Sequence, residues 1–322
     1  MSQSPIKAME GKEGWLFLAN DTNMSDLQLI GRKTHAPGVL DAWRAELTER
    51  VYKIERLLSS EYLFMVAPNK ESVHPEYLPD DLRPASHRPI HSLIEKISDL
   101  THVYYPIEDL RKWSILFDVY PKLDTHWTEF GGFCIARALA HKLNGVAVPS
   151  LDQCNVSVQR RSGDLGSKFT PVRMGDWTYA EPRSTVSKTI FDNRLVNNGR
   201  MIISEKPGPI ESRGLVFGDS FFYAVLPFLQ EAVDRLVFVH AYSVDYKLVS
   251  HERPSFVISE SVERFLIESP TFAESFSAAE QIQKKMSGLL DDDRCAIELK
   301  CKALLERSPG DRIYADYHRP RL

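Results

Sequence analysis

Two short stretches of this chain carry side chains that could do chemistry together. One is Gly218-Asp219-Ser220, which ends the apolar run Gly214-Leu215-Val216-Phe217. The other is Asp124-Thr125-His126. A serine hydroxyl is a weak nucleophile until a base takes its proton, and histidine is the usual base because it titrates near neutrality. A carboxylate completes such a set by fixing the imidazole tautomer and stabilising the imidazolium that forms. Asp124 and His126 are two apart, so in extended backbone both project to one side. Asp124 is then expected to hold one ring nitrogen of His126 while the other faces Ser220. Acyl chemistry also needs donors for the developing oxyanion. The backbone N–H of Ser220 is the first candidate, and Asn69, beyond another strand, is the second. Lys70, Tyr242 and Glu260, at or just past strand ends, are further candidates for oxyanion or substrate contact. Trp127 either walls the site or sits in the core.

Each motif also has a plain structural alternative. Asp219 could simply cap the following helix, with Ser220 incidental. His126 could be a satisfied interior histidine, or with Asp124 part of a metal site. Against metal, the other histidines lack matching spacing: Pro89 lies between His87 and His91 and disfavours a regular helical pair. No metal and no cofactor are expected. There is no GxSxG elbow, no P-loop and no GxGxxG.

These side chains need elements to position them. Glu61–Ala67, His102–Pro106, Gly214–Phe217, Arg235–Val239 and Ser255–Ser259 read as short apolar strands. Between them, Pro37–Ser60, Ile90–Leu100, Ile107–Phe117, Glu129–Leu143, Phe221–Glu231, Val244–Ser250 and Glu260–Ile267 read as helices, with Thr128 as an N-cap. Strands alternating with helices predict an α/β fold, a parallel sheet covered on both faces. Residues 146–213 are expected to form an irregular, partly β insertion within a domain spanning 1–269. A charged helical extension, 270–322, follows. Gly11–Leu18 is expected to be an edge strand or a packed arm.

The 322 residues suffice for a sizeable core, and the hydrophobic fraction of 43% argues against bulk disorder. A net charge of −4 with no basic stripe speaks against nucleic acid as a partner. No run reaches the roughly 18 apolar residues of a membrane span. Met1–Gly14 has no apolar leader segment, so as written the chain is expected in the cytoplasm. The four cysteines form no CxxC and are expected to be reduced thiols, Cys134 in the core.

Gly218-Asp219-Ser220-Phe221 resembles the GDS block of SGNH hydrolases. Asp124-Thr125-His126-Trp127 precedes the serine, an order that resembles the alginate O-acetyltransferase AlgJ/AlgX-type branch. The same branch is matched by Gly11–Leu18, by Pro68-Asn69-Lys70 with Pro75–Pro79, by Ser162-Gly163-Asp164-Leu165 and by Val262-Glu263-Arg264-Phe265-Leu266. The resemblance implies a three-layer, flavodoxin-like SGNH domain, circularly permuted. It implies a triad of Ser220, His126 and Asp124, and acetyl transfer to polysaccharide hydroxyls through an acyl-serine. The partners it implies are a carbohydrate acceptor, an acetyl donor and polysaccharide-assembly proteins. It implies a periplasmic location if the given amino terminus is truncated. A carbohydrate esterase with the same triad, and a non-catalytic sugar-binding scaffold, remain the alternatives.

Overall fold

The computed structural model describes residues 7–270 and 277–319. The start of the Met1–Gly14 stretch and parts of the 270–322 extension lie outside the described residues. A seven-stranded sheet forms the centre, in the order β4-β3-β11-β9-β10-β8-β7. Its strands are β3 (Glu61–Ala67), β4 (Val103–Tyr104), β7 (Lys188–Asp192), β8 (Met201–Glu205), β9 (Arg213–Gly218), β10 (Arg235–His240) and β11 (Phe256–Val262). The five from β4 to β10 run parallel, while β8 and β7 are antiparallel additions. This is the mixed α/β architecture expected from the strand–helix alternation.

Successive residues of a strand face opposite sides of a sheet, and the core divides accordingly. Leu63, Met65, Val216, Phe238 and Ile258 face one side, where they meet the helix Glu129–Lys142 and the segment Phe221–Leu229. Tyr62, Phe64, Leu215, Phe217, Val237 and Val257 face the other. There they meet the helices Val39–Val51 and Tyr246–Glu252 and the carboxy-terminal residues Ile282, Met286, Ile297, Cys301, Leu304, Tyr314 and Tyr317. All of these strand residues are buried, which is why the strands read as continuous apolar runs.

Three elements differ from expectation, each for a local reason. Residues 146–213 stand apart only in part. β5 (Cys154–Arg161) and β6 (Gly175–Pro182) form a separate hairpin, but β7 and β8 extend the main sheet. The helix expected over Phe221–Glu231 is a 3-10 turn, Ser220–Ala224, followed by a short helix, Leu226–Leu229. Pro227 lacks the N–H that a continuous helix would use. Glu260 does not start a helix: β11 runs on to Val262, and a 3-10 turn, Glu263–Ile267, follows. At the amino end, β1 (Met9–Glu10) pairs with β2 (Leu16–Phe17), and the Leu16 N–H donates to the Lys122 carbonyl at 2.8 Å. The arm thereby packs beside the Asp124 segment.

Candidate active site

Ser220 opens the 3-10 turn at the carboxyl end of β9. Asp219 caps that turn, its Oδ1 accepting the Phe221 N–H at 2.9 Å. The capping role anticipated for Asp219 is thus real, and it coexists with a half-buried Ser220 side chain aimed at His126. The Oγ–Nε2 distance between Ser220 and His126 is 2.8 Å. On the far side of the ring, Nδ1 of His126 lies 2.8 Å from Asp124 Oδ1. A carboxylate accepts, so Nδ1 carries the proton and Nε2 is left to accept from the serine. Asp124, His126 and Ser220 therefore form one hydrogen-bonded line.

Asp124 is held at both oxygens. Oδ1 also accepts the His126 N–H at 2.8 Å, and Oδ2 accepts the Asp164 N–H at 2.6 Å. Burial alone would raise its pKa, but the hydrogen bonds from the His126 ring and from the His126 and Asp164 N–H groups outweigh burial and hold it below the usual carboxylate value. Asp164 returns the contact: its carboxylate accepts from the Thr125 N–H at 2.7 Å and the Thr125 hydroxyl at 2.6 Å. Asp124, His126 and Asp164 place potential ligand atoms within 4.8 Å of one another. Their carboxylate oxygens are aimed at backbone and hydroxyl donors, an arrangement for holding a histidine rather than a cation.

Trp127 belongs to the core. It is fully buried, and its Nε1–H donates to the Phe221 carbonyl at 2.7 Å. That bond ties the histidine-bearing segment to the serine-bearing turn. Thr128 caps the helix behind, its hydroxyl accepting the Gly131 N–H at 3.0 Å.

Lys70, a candidate for substrate contact, turns its ammonium inward. It is buried, and its ammonium donates to the carbonyls of Pro121, Lys122 and Asp124 at 3.2, 3.1 and 2.7 Å. Those three bonds use all three protons. Burial drives its pKa down to about 7, with Asp124 and Asp164 opposing. Glu260, the other such candidate, is likewise turned inward. It is buried inside β11, with Oε2 accepting the Asp219 N–H at 2.8 Å. Burial and the neighbouring Asp219 push its carboxyl well above the usual range. Asn69 follows β3 with its side-chain oxygen accepting from Arg264 Nη1 at 3.2 Å. Together with Leu18, Lys70, Glu71, Thr125 and Arg264 it lines a cavity of about 10 Å³. Tyr242 is half-buried past the end of β10, edge-on to Phe265 with centroids 5.5 Å apart. Burial, with the Asp219 and Glu260 charges, raises its pKa.

Sequence reasoning assigned no role to Asp164, Thr125 or Arg264. The Ser162–Leu165 and Val262–Leu266 motifs contained two of them, and the motifs were the available signal.

The sequence profile of the SGNH hydrolase-like domain of acetyltransferase AlgX matches residues 8–244. No curated protein matches the chain in sequence. Among solved structures, Bacillus cereus PatB1 with a sulfonyl adduct superposes with a TM-score of 0.61 at 15% identity, covering 83% of this chain and 98% of that one. A DHHW family protein from Eubacterium siraeum gives 0.57 at 16% identity, covering 84% and 98%. The O-acetyltransferase domain of Pseudomonas putida AlgJ gives 0.54 at 18% identity, covering 84% and 95%. These likenesses carry the fold. The profile spans well over half of the chain and includes Asp124, His126 and Ser220, and the chain therefore belongs to the AlgX-type acetyltransferase family with an SGNH hydrolase-like domain.

Proposed function

We propose that the protein moves an acetyl group from an ester donor to a carbohydrate hydroxyl by way of acyl-Ser220. The observation that carries this is the unbroken line from Asp124 through His126 to Ser220, with both gaps at 2.8 Å. Ser220 Oγ attacks the donor carbonyl carbon while His126 Nε2 takes its proton. The donor C–O bond breaks, and His126 returns the proton to the leaving alcohol. An acceptor hydroxyl then gives its proton to His126 as its oxygen takes the acetyl group, freeing Ser220. Asp124 stabilises the imidazolium in both halves. The Ser220 N–H, which has no protein acceptor among the described residues, is the first oxyanion donor, and the Asn69 amide is the second. Tyr242, half-buried past the end of β10, is the further substrate contact in this reading. Family membership supports acetyl as the group transferred, and the AlgJ domain's description as an O-acetyltransferase supports a hydroxyl acceptor. A polysaccharide or its precursor, and the proteins that assemble it, are the partners this implies.

Hydrolysis would use the same groups with water as acceptor. The His126 side chain, 31% exposed, is open to water. The test is mass spectrometry after exposure to a chromogenic acetyl ester, with and without sugar acceptors. Acetyl-Ser220 that discharges onto sugar is the expected result, and Ser220→Ala should abolish adduct and transfer by several orders of magnitude. Free acetate as the sole product, whatever the sugar, would overturn transferase in favour of esterase. Undiminished biological activity in Ser220→Ala would leave only a binding role.

A further inference from the structure

β11 lies between β3 and β9 in the sheet. The two oxyanion donors stand just past the ends of those neighbours, Asn69 after β3 and Ser220 after β9. We propose that the carboxyl end of β11, from Glu260 to Arg264, is the positioning element for both donors. The inference rests on assigning Ser220 and Asn69 to the oxyanion hole.

On the serine side, Glu260 Oε2 accepts the Asp219 N–H at 2.8 Å. The Val262 N–H donates to Asp219 Oδ2 at 3.0 Å, while Asp219 Oδ1 holds the Phe221 N–H at 2.9 Å. The peptide N–H groups on either side of Ser220 are thus spoken for, and the Ser220 N–H between them is left for a ligand. Gly218 makes room for this: a Cβ there would stand 2.8 Å from Glu260 Oε2. The other oxygen of Glu260 is buried without a hydrogen-bond partner among the described residues. A half-satisfied buried acid costs stability, so its value lies in the N–H it holds.

On the asparagine side, Glu263 Oε2 accepts the Asn69 N–H at 2.9 Å. That carboxylate is itself fixed by the Ser72 hydroxyl at 2.7 Å, the Tyr105 hydroxyl at 2.9 Å and Arg88 at 3.1 Å. Arg264 Nη1 then meets the Asn69 side chain at 3.2 Å. A guanidinium has donors only, so the amide atom facing it is the oxygen. The NH₂ group is turned away from Arg264 and left to donate. Phe221, in the serine turn, lies under the same guanidinium at 5.4 Å.

A double-mutant cycle on the rate of acetyl-Ser220 formation tests the asparagine half. Asn69→Ala is expected to slow acylation by about 10²-fold, the usual cost of an oxyanion donor. Arg264→Met should lower kcat by at least about tenfold with little change in KM, and the double variant should be no slower than Asn69→Ala alone. Multiplying effects would mean that Arg264 acts on the substrate itself and would overturn positioning. If Arg264→Met does not fold, Arg264→Ala, which also removes the donor toward the Asn69 oxygen, takes its place in the cycle. For the serine half, Glu260→Gln keeps an acceptor for the Asp219 N–H and should recover most of the rate lost in Glu260→Ala. Equal losses in the two would sink that half. Wild-type acylation by Asn69→Ala would remove the oxyanion assignment of Asn69, and the Arg264 claim with it, while leaving the Glu260 result to stand alone.

Discussion

Lys70 shows how a buried residue beside the Asp124–His126–Ser220 line can matter through the backbone it holds. Its three bonds gather the Pro121, Lys122 and Asp124 carbonyls onto one ammonium. The rings of Trp15 and Phe17 lie 5.6 and 5.4 Å from that charge. Lys70→Met should strand three carbonyls and loosen the loop that carries Asp124. We expect a stability loss of about 2–4 kcal/mol in denaturant titration and a lower kcat at nearly constant KM. A large rise in KM instead would restore Lys70 to substrate binding. At this scale the sequence was informative about type and poor about direction. Ser220, His126 and Asp124 could be singled out because their chemistry requires one another. Lys70 and Glu260 sit at strand ends just as a substrate contact would. Only the fold reveals that both turn inward, toward backbone groups that any sequence possesses.

At the scale of elements, the hydrogen-bonded line of Asp124, His126 and Ser220 rests on a turn wrapped behind it. Gly163 has a φ of +65°, and a Cβ there would collide with the Leu123 carbonyl oxygen. The same turn sends the Leu165 and Gly166 N–H groups to that oxygen at 3.1 and 3.0 Å, and the Asp164 N–H to Asp124. Gly163→Ala should therefore cost more than the roughly 1–2 kcal/mol of left-handed backbone alone. It should also cut acylation at least tenfold by displacing Asp124, read from melting curves and burst kinetics. Wild-type burst kinetics would show that the turn is dispensable. Strands such as Glu61–Ala67 were legible because burial on both faces writes a continuous apolar run. β11 was read too short because Glu260 interrupts that run with a carboxylate, whose partner, the Asp219 N–H, is distant in sequence. β7 and β8 were read as insertion because these short antiparallel strands join the sheet beyond β10 with no helix between them.

Over the whole molecule, the charged carboxy-terminal helices are part of the core. Arg235 of β10 is buried among Glu205, Glu252 and Asp311, with Tyr314 donating to Glu252 at 2.5 Å. Near the chain's end, the buried His318 lies 2.6 Å from the Tyr314 carbonyl through Nδ1 and 2.9 Å from Asn193 Nδ2 through Nε2. The carbonyl only accepts, and the amide nitrogen only donates, so the ring is neutral. Burial lowers its pKa to about 4, and burial does the same to His240. Between pH 4 and the unfolded value near 6.5, the unfolded chain binds more protons than the folded one. The stability from these neutral rings is thus complete above about pH 6.5 and is lost as pH falls toward 4. Melting temperatures should drop across that window, and less so in His318→Gln. A flat profile would mean that the ring is not held neutral.

The same carboxy-terminal region governs how the molecule meets its neighbours. One margin of the sheet, β4, has two residues. The other, β7, breaks register between Thr189 and Phe191, and Lys300 donates to its Asp192 carbonyl at 2.8 Å. A foreign strand seeking main-chain partners finds one margin too short and the other kinked and guarded by a lysine. The main sheet thereby offers little template for strand addition at either margin, and growth of this sheet from molecule to molecule is disfavoured.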